Sequence, residues 1–441
     1  MVLALAATTA VAGETEAAGR PLAVSARIPA AGQADLLADG LAVRLRSGRA
    51  RRVRVAATLA IGRERVPLGR ARVARLAPGR WRGLTLALAG PGRDKLTTCP
   101  SARILVRAVD TSSGRERRVS RRLRLDPPDC ATFFARSSVW NAPLSAGAPL
   151  DADSPAVTGR LVRSIEAAKQ AGKPPWINTT RYSPPVYTAG PHQARVKVTL
   201  DADAPELSAA FEAVPIPAGA VPAKGTDSEL VAWQPSTDTL WEFWGLRRQN
   251  GRWHARWGGR LRGVSSGPGH FAAPHPNWGA TATGLPLAGG LITPRELRRG
   301  RIDHALAIAA PAIRANQYAW PAQRTDGATY DAHAVPEGAH FRLDPALDVD
   351  ALGLEPPIAA IARAAQRYGI IVRDRSDTVA FYAQNPSSLR GDPYPAIFGG
   401  KSPAQLLRAF PWSRLQLTRM DLRRRPPDQP APLHCLLGGC P

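Results

Sequence analysis

The chain has few of the residue patterns that mark well-known enzyme classes. Of its 441 residues, only four are cysteine, two are methionine and 6% are aromatic. It has no Cys-x-x-Cys pair and no closely spaced histidines, so the common zinc-binding patterns are excluded and we predict no metal site. The Gly-x-Ser-x-Gly elbow, the phosphate-binding loop and the dinucleotide-binding fingerprint are also missing, so no cofactor is predicted.

The four cysteines allow three pairings, and the sequence does not choose between them. Cys99 and Cys130 bracket the end of the first domain, while Cys435 and Cys440 lie close together near the end of the chain. The pairing of Cys99 with Cys130 and of Cys435 with Cys440 is the least demanding. Such disulfides would fit an exported protein.

Long apolar stretches are also missing, so no transmembrane segment is predicted. The first 13 residues are apolar and contain Ala10-Val11-Ala12, a small-residue pattern that suits signal-peptidase cleavage. The positive residues that normally begin a signal peptide do not precede it. We still interpret residues 1–20 as a signal-like segment, which predicts an extracellular or cell-envelope location.

Positive charge is concentrated in the first part of the chain. The net charge is +24, and residues 1–125 contain 25 Lys and Arg against 8 Asp and Glu. This charge would favour an anionic partner such as a cell-wall polymer or an acidic polysaccharide. Arginine-rich composition is also typical of a GC-rich genome. Because no nucleic-acid-binding motif accompanies the charge, we do not predict nucleic acid as a partner.

The spacing of apolar residues predicts two domains. Residues 21–126 contain strand after strand with alternating apolar and charged side chains, which is typical of an immunoglobulin-like or fibronectin type III-like β-sandwich. The closing strand is predicted at 121–125, and many arginines form the outward half of the alternation. Residues 127–132 are a proline-containing linker.

Residues 133–424 are predicted to form a larger domain that mixes strands with several short helices. A β-sandwich or jelly-roll is the favoured architecture, so the whole chain is predicted to be mainly β. Helices are predicted from Ser154, as N-cap, to Gly172, from Pro357 to Tyr368, and after capping boxes at Thr293 and Ser402. Residues 425–441 form a proline-rich C-terminal tail.

Six of the eleven tryptophans fall between residues 233 and 278. Asn250-Gly251 between them predicts a type I′ hairpin turn, because both residues tolerate positive φ. Residues whose numbers sum to 501 then face each other, which places Trp244 opposite Trp257. Trp253 and Glu242 are expected on the same face.

A second turn centred on Ser236-Thr237 would add Trp233, Val231 and Glu229 to this face. Indoles accompanied by carboxylates are typical of a carbohydrate-binding cleft, since sugar C–H groups stack on aromatic rings. The same pattern is also typical of an ordinary sandwich core, and the sequence leaves both interpretations open.

Two pairs of acids in this region could support glycoside hydrolysis, which uses two carboxyl groups. In the predicted register, Glu229 lies diagonally from Glu242 at about 7–8 Å. Asp227 continues the same alternation one step further. We therefore predict Glu242 with Glu229 or Asp227 as candidate catalytic acids, with surface acids near a sheet edge as the alternative.

A second set of residues has the chemistry needed for β-elimination of a uronate polymer. His304 is the candidate base; it is predicted on a strand from Ile302 to Ile308, where a hydrogen-bonded core histidine is the alternative. The candidate substrate-binding residues are Trp244, Trp253, Trp257, Trp278, Asn277, Gln323, Arg324 and Arg342.

Several blocks of sequence resemble a family of secreted actinobacterial proteins of no assigned activity. The blocks are Ser138-Val-Trp-Asn-Ala-Pro143, Trp278-Gly-Ala-Thr-Ala-Thr-Gly-Leu-Pro-Leu287, Gly300-Arg-Ile-Asp-His-Ala-Leu306, Pro321-Ala-Gln-Arg-Thr-Asp-Gly327 and Gln366-Arg-Tyr-Gly-Ile-Ile-Val372. The resemblance covers about residues 136–422. It implies an exported protein with a β-rich main domain, and it assigns no catalytic residue.

The sequence thus favours an exported carbohydrate-active protein, either a glycoside hydrolase or a polysaccharide lyase, acting on cell-wall or environmental polysaccharide. The alternative is a non-catalytic cell-envelope binding or adhesion protein. In that case the tryptophans are core residues and the basic domain contacts an anionic cell-wall polymer. The sequence predicts neither a substrate nor an oligomeric state.

Overall fold

The computed structural model describes residues 24–29, 32–97, 102–123, 133–389 and 391–424. The chain divides into two compact units, residues 1–95 with 101–124 (unit 1) and residues 96–100 with 125–441 (unit 2). The prediction of a mainly β protein with several sheets and few helices is confirmed. The signal-like segment, the four cysteines and the C-terminal tail lie outside the described residues. Within the described ranges, no helix is long and apolar enough to cross a membrane.

Unit 1 contains two antiparallel sheets. Their strand orders are β1-β2-β5 and β4-β3-β6-β7. The strands are β1 Val24–Arg27, β2 Leu41–Ser47, β3 Arg51–Ile61, β4 Glu64–Leu76, β5 Arg82–Leu86, β6 Arg103–Asp110 and β7 Glu116–Arg122, with helices α1 Gln33–Asp39 and α2 Gly90–Thr97.

Side-chain alternation explains why each sheet of unit 1 has one buried face. Along β2, Leu41, Val43 and Leu45 are buried, while the residues between them are exposed. This period of two is the pattern expected of a half-buried strand. The strand predicted at 121–125 is placed too late, since β7 ends at Arg122 and Leu123 turns inward, donating its backbone N–H to Ala102.

Unit 2 is built from four sheets and six helices within the described residues. The strand orders are β15-β12-β11-β9, β22-β19-β20-β16-β21-β8, β10-β14-β13 and β18-β17-β23. The strands are β8 Trp176–Asn178, β9 Val186–Thr188, β10 Val198–Leu200, β11 Leu230–Gln234, β12 Thr239–Trp244, β13 Arg247–Gln249, β14 Arg252–Ala255, β15 Trp257–Arg262, β16 Leu306–Ala310, β17 Ile313–Ala319, β18 Val335–Glu337, β19 His340–Leu343, β20 Ile370–Arg375, β21 Ala380–Tyr382, β22 Leu415–Leu417 and β23 Leu422–Arg424.

The two larger sheets of unit 2 share one core. Val231 and Leu240 of the four-stranded sheet cluster with Ala307 and Ile371 of the six-stranded sheet. The opposite face of the six-stranded sheet packs against helices, and the opposite face of the four-stranded sheet packs against Phe211 and its neighbours. The helices are α3 Ser154–Gln170, α4 Pro205–Ala210, α5 Pro294–Arg299, α6 Pro356–Arg367, α7 Tyr394–Ile397 and α8 Pro403–Leu407.

Local sequence signals place most of these helices correctly. The capping boxes at Thr293 and Ser402 are confirmed, since each side chain accepts the N3 backbone N–H and the N3 side chain accepts the N-cap N–H. Helix α6 lies within one residue of its predicted ends. At α3, however, the N-cap is Asp153, because the hydroxyl of Ser154 accepts a hydrogen bond from the N–H of Leu417 instead.

Trp140, near the start of the described part of unit 2, packs into its core. Trp140 is 1% exposed, and its indole N–H donates to the carbonyl of Gly269 at 2.7 Å. The carbonyl of Trp140 accepts the N–H of Ala305 at 2.6 Å. A side chain at Gly290, where φ is +66°, would meet both the Trp140 ring and Ala307, so glycine is needed for the indole to fit.

Candidate functional site

The predicted hairpin register is confirmed. Asn250 and Gly251 have φ values of 49° and 76°, as a type I′ turn requires, and every pair from Thr239 and Arg262 to Gln249 and Arg252 sums to 501. The turn at Ser236-Thr237 is confirmed too, since β11 and β12 pair with Val231 opposite Glu242.

Most of the tryptophans in this region are core residues. Four of them are only 3–7% exposed: Trp233, Trp241, Trp253 and Trp278. The prediction that Trp253 shares a face with Glu242 is wrong. Trp253 packs with Phe243 and Trp241 on one side of the sheet, whereas the carboxyl group of Glu242 lies on the other.

The change of face has a backbone cause. Gly245 follows β12 with φ of +64°, and a Cβ there would meet the Arg256 side chain. Beyond this point the ladder continues as β13 and β14, which belong to a different sheet with β10. The backbone pairing across the hairpin therefore keeps its register, while the side chains beyond Gly245 belong to a different sheet from those of β12.

Trp244 and Trp257 are the two half-buried indoles of the hairpin, and they face each other in register. The indole N–H of Trp244 donates to Asp227 Oδ1 at 3.2 Å. The guanidinium of Arg256 lies 5.2 Å from the centre of the Trp244 ring. Trp244 is therefore in contact with one of the acids discussed next, whereas Trp257 packs against the Phe211 cluster.

Glu242 is fully buried, and both of its carboxyl oxygens accept backbone N–H groups. The donors are Ala280 to Oε1 at 2.7 Å and Leu287 to Oε2 at 2.8 Å. Burial raises the pKa of Glu242 to about 7, although the two backbone donors favour its ionised form. These contacts hold the 280–287 loop against the sheet, which favours a structural role for Glu242.

Glu229 has a different environment on the same side of the sheet. It is 5% exposed, and Oε2 has no hydrogen-bond partner among the described residues. Burial raises the pKa of Glu229 to about 8, and the charge of Asp227 adds to the shift. Glu229 therefore holds a proton at neutral pH beside the half-buried Asp227.

Three further acids lie close together where β18 approaches β20 of the six-stranded sheet. Asp326, Glu337 and Asp374 each place one carboxyl oxygen within 4.8 Å of the others. Glu337, at the end of β18, is fully buried, and its Oε2 accepts the N–H of Asp326 at 3.1 Å. Burial, followed by the charges of Asp326 and Asp374, raises the pKa of Glu337 well above its usual range.

Electrostatic coupling joins the two groups of acids. Burial raises the pKa of Asp374, and the charges of Asp326 and Asp227 add to the effect. Tyr382 lies near the same charges: burial raises its pKa well above the usual range, and Asp374, Glu229 and Asp227 raise it further. We call Asp227, Glu229, Asp326, Glu337 and Asp374 the acidic cluster.

Arg373 is a cation whose charge acts on Glu229 and Asp374 of the acidic cluster. It is fully buried on β20, and its Nη1 donates to the carbonyls of Leu287 and Gly289 at 2.8 and 3.1 Å. Its guanidinium carbon lies 3.9 Å from the centre of the Tyr382 ring. Neither Nε nor Nη2 has a hydrogen-bond partner within the described part of the chain.

Arg324 organises the loop that carries two other predicted residues. Its guanidinium donates to the carbonyls of Asn277, Gly279, Thr281 and Ala282 at 2.5–3.1 Å. Burial lowers the pKa of Arg324 to about 10, which leaves it charged at neutral pH. Gln323 is half-buried and donates to the Pro321 carbonyl at 3.3 Å. Arg324 thus supports the loop through main-chain contacts.

His304 and Arg342 have separate sets of partners. The prediction that His304 lies on a strand is wrong, because β16 begins at Leu306. The Nε2 of His304 lies 3.1 Å from Glu296 Oε1. Burial alone would lower the pKa of His304, but the Glu296 carboxylate has the larger combined effect and raises that pKa. Arg342 is 5% exposed and donates to Gln416 Oε1 and to the carbonyls of residues 145 and 146.

Sequence reasoning found one side of the acidic cluster and missed the other. Glu337 comes from β18, Arg373 and Asp374 from β20, and Tyr382 from β21, all more than 100 residues after Asp227 and Glu229. No local pattern marks Glu337 or Tyr382. The signal for Arg373 and Asp374 is the change within β20 from the apolar Ile370-Ile371-Val372 to the charged Arg373-Asp374-Arg375, which is unusual in a strand with a buried start.

A separate cavity of about 470 Å³ lies elsewhere in unit 2. It contains Trp176, which is 39% exposed, together with Arg181, Asp392, Tyr394 and Lys401. Lys401 forms an ion pair with Glu355. The cavity includes none of the residues that the sequence predicted as functional.

Comparisons with known proteins add no relative from which a function could be inferred: no protein-family model matches the sequence, and no curated protein matches it. The candidate site therefore depends on its own geometry.

Proposed function

We propose that unit 2 is a glycoside hydrolase whose catalytic acids are Glu229 and Asp227. One observation carries the proposal: Glu229 is buried with one unpartnered carboxyl oxygen, two residues from the half-buried Asp227, and burial followed by the charge of Asp227 raises its pKa to about 8. Two carboxyl groups kept in different environments are the arrangement that acid–base hydrolysis of a glycoside requires.

In the proposed reaction, Glu229 gives its proton to the glycosidic oxygen as the bond from that oxygen to the anomeric carbon breaks. Asp227 accepts a proton from the water molecule that attacks the anomeric carbon. Trp244, whose indole N–H donates to Asp227, offers a half-buried ring on which a sugar could stack beside that acid. The glycosidase proposal is preferred over the lyase because His304, its candidate base, is engaged with Glu296.

The test is a screen of the purified chain against neutral and uronate polysaccharides. New reducing ends without the ultraviolet absorbance of an unsaturated uronate are expected. Glu229→Gln and Asp227→Asn should each lower the rate by about 10²–10⁴-fold. Glu212→Gln, a change at an exposed residue paired with Lys197, is the matched control and should leave the rate unchanged.

Two results would overturn this proposal. Reducing ends that appear together with ultraviolet absorbance would mean elimination. Full activity in Glu229→Gln would show that Glu229 is not a catalytic residue. Silence on every polysaccharide would favour the alternative described next.

A cationic sheet face in unit 1 favours a second candidate function, attachment to an anionic cell-wall polymer. Arg103 faces Arg122, and Arg107 faces Arg118, across neighbouring strands. Like charges directly opposite each other are destabilising. Glu116 lies between Arg107 and Arg118 and forms ion pairs with both, while Arg103 donates to Ser120.

The same outer face also carries Arg52 and Arg54 on β3, which are exposed. The strand order of unit 1 supports the proposal that this unit is an appended immunoglobulin-like or fibronectin type III-like module. Binding of heparin, used as an anionic probe, should weaken steeply with salt. It should fall further in the Arg103→Gln, Arg107→Gln double variant, and unchanged binding in that variant would exclude this face.

A further inference from the structure

The acids that lie where β18 approaches β20 have the chemistry of a cation site. We propose that Asp326, Glu337 and Asp374 bind a divalent cation of the calcium type. The set offers only oxygen donors, which is the preference of hard cations such as Ca²⁺. This site is additional to the proposed hydrolysis, and it does not depend on Glu229 or Asp227 acting on a sugar.

The spacing of the donors fits calcium. Ligand oxygens lie about 2.3–2.6 Å from Ca²⁺, so two oxygens on opposite sides of the ion are about 4.6–5.2 Å apart. The three carboxyl oxygens all lie within 4.8 Å of one another, so no pair is too far apart to bind one Ca²⁺. Magnesium holds its ligands at about 2.0–2.1 Å, so it requires opposite oxygens to lie within about 4.2 Å and is the more demanding ion.

Glu337 supplies an independent reason to expect a ligand. It is fully buried, and its Oε1 has no hydrogen-bond partner among the described residues. A buried carboxylate oxygen without a partner carries a large desolvation cost. The carboxyl group of Glu337 lies close to those of Asp326 and Asp374, and a cation bound between the three would supply a partner for each.

The balance of charge around the site favours a cation as well. The three proposed ligands repel one another when ionised, since their carboxyl oxygens lie within 4.8 Å. Among the described residues, Arg324 and Arg373 direct hydrogen bonds to backbone carbonyls, and the Nε of Arg375 lies 3.7 Å from Asp326 Oδ2. A divalent ion between the three carboxyl groups would reduce their mutual repulsion.

The backbone holds the donors on ordered elements. Gly338, directly after Glu337, donates its N–H to Val372 on β20, two residues before Asp374. Its φ is +83°, and a Cβ there would meet the carbonyl of Ala319. Strands β18 and β20 are thus fixed against each other at the point where their acids meet, which is the preorganisation that a metal site needs.

The test uses the full chain, stripped with a chelator, and calorimetric titration with CaCl₂. One binding event is expected, with a rise in the unfolding temperature of unit 2 that grows with Ca²⁺ concentration. MgCl₂ should give a smaller rise. These readouts do not require turnover, so a failure of the cation proposal and a failure of the hydrolase proposal are distinguishable.

Isosteric variants locate the ion. Glu337→Gln and Asp374→Asn should each abolish the heat of Ca²⁺ binding. Asp377→Asn, an exposed acid three residues further along and paired with Lys173, should bind as the wild type does. If a variant does not fold, the wild-type titration decides. The absence of both a binding heat and a shift in unfolding temperature with Ca²⁺ would overturn the proposal. Ca²⁺ binding that survives both isosteric changes would also overturn it.

Discussion

Replacing Glu229 by glutamine should stabilise unit 2 at neutral pH while removing its proposed activity. The pKa of Glu229 rises from 4.5 to about 8 on folding, chiefly because the group is buried. At neutral pH the unfolded chain therefore holds this carboxyl ionised, while the folded chain must take up a proton. Glutamine has nearly the same shape, is neutral at every pH and avoids that cost.

The size of the effect follows from proton linkage. One pKa unit corresponds to about 1.4 kcal/mol. Because the folded state binds more protons than the unfolded state, stability falls as pH rises from 4.5 towards 8. At about pH 7 the wild type should be about 3 kcal/mol less stable than Glu229→Gln, and the difference should vanish below about pH 4.

Urea unfolding of wild type and variant over this pH range is the assay, followed with a signal from unit 2. Glu212→Gln should change stability by less than about 0.5 kcal/mol at any of these pH values. A variant that is less stable than the wild type at pH 7, or a difference that does not change with pH, would refute the reasoning. In an active preparation, the rate should also fall above about pH 8 as Glu229 ionises.

Three further outcomes test the structure. Glu296→Gln should lower the free energy of unfolding by about 2 kcal/mol, with the largest loss between pH 4.5 and 6.5. The ion pair is strongest in that range, because His304 loses its proton above its raised pKa and Glu296 gains one below its lowered pKa. Equal losses at acid and alkaline pH in urea unfolding would contradict this. Trp253→Ala should cost about 3–5 kcal/mol in the same assay, and a loss under about 1 kcal/mol would place that indole outside the core. Arg324→Met should expose the 277–282 loop to limited proteolysis, and an unchanged cleavage pattern would show that its hydrogen bonds do not hold the loop.

Local signals in the sequence predict local structure well. The hairpin register is confirmed because Asn250-Gly251 adopts the positive φ values that a type I′ turn needs. The side-chain face of Trp253 is not, because Gly245 redirects the strand after β12 into another sheet. A glycine in a strand pattern predicts a bulge or a bend in the strand, but it does not predict the direction in which the chain then runs.

The candidate site is harder to predict because it is assembled by topology. The turn pattern predicts Asp227 and Glu229 as candidate acids, and that role stays a prediction. Asp374 comes close to Glu229, and Glu337 close to Asp374, only in the folded chain, and their separation in sequence carries no signal of this. The role of Glu242 depends on two backbone donors, at Ala280 and Leu287, which no side-chain pattern could reveal.

The way Trp140 is held limits where an isolated fragment of unit 2 can begin. Its ring fills a space bounded by Gly269 and Gly290, and the residues just before it pair with the segment around Val264, to which Phe134 donates its N–H. A fragment that begins after Asn141 would lose this indole and leave a cavity in the core. Expression of the isolated unit should therefore start at or before residue 133, and a proteolytic cut between residues 134 and 141 should release no stable domain.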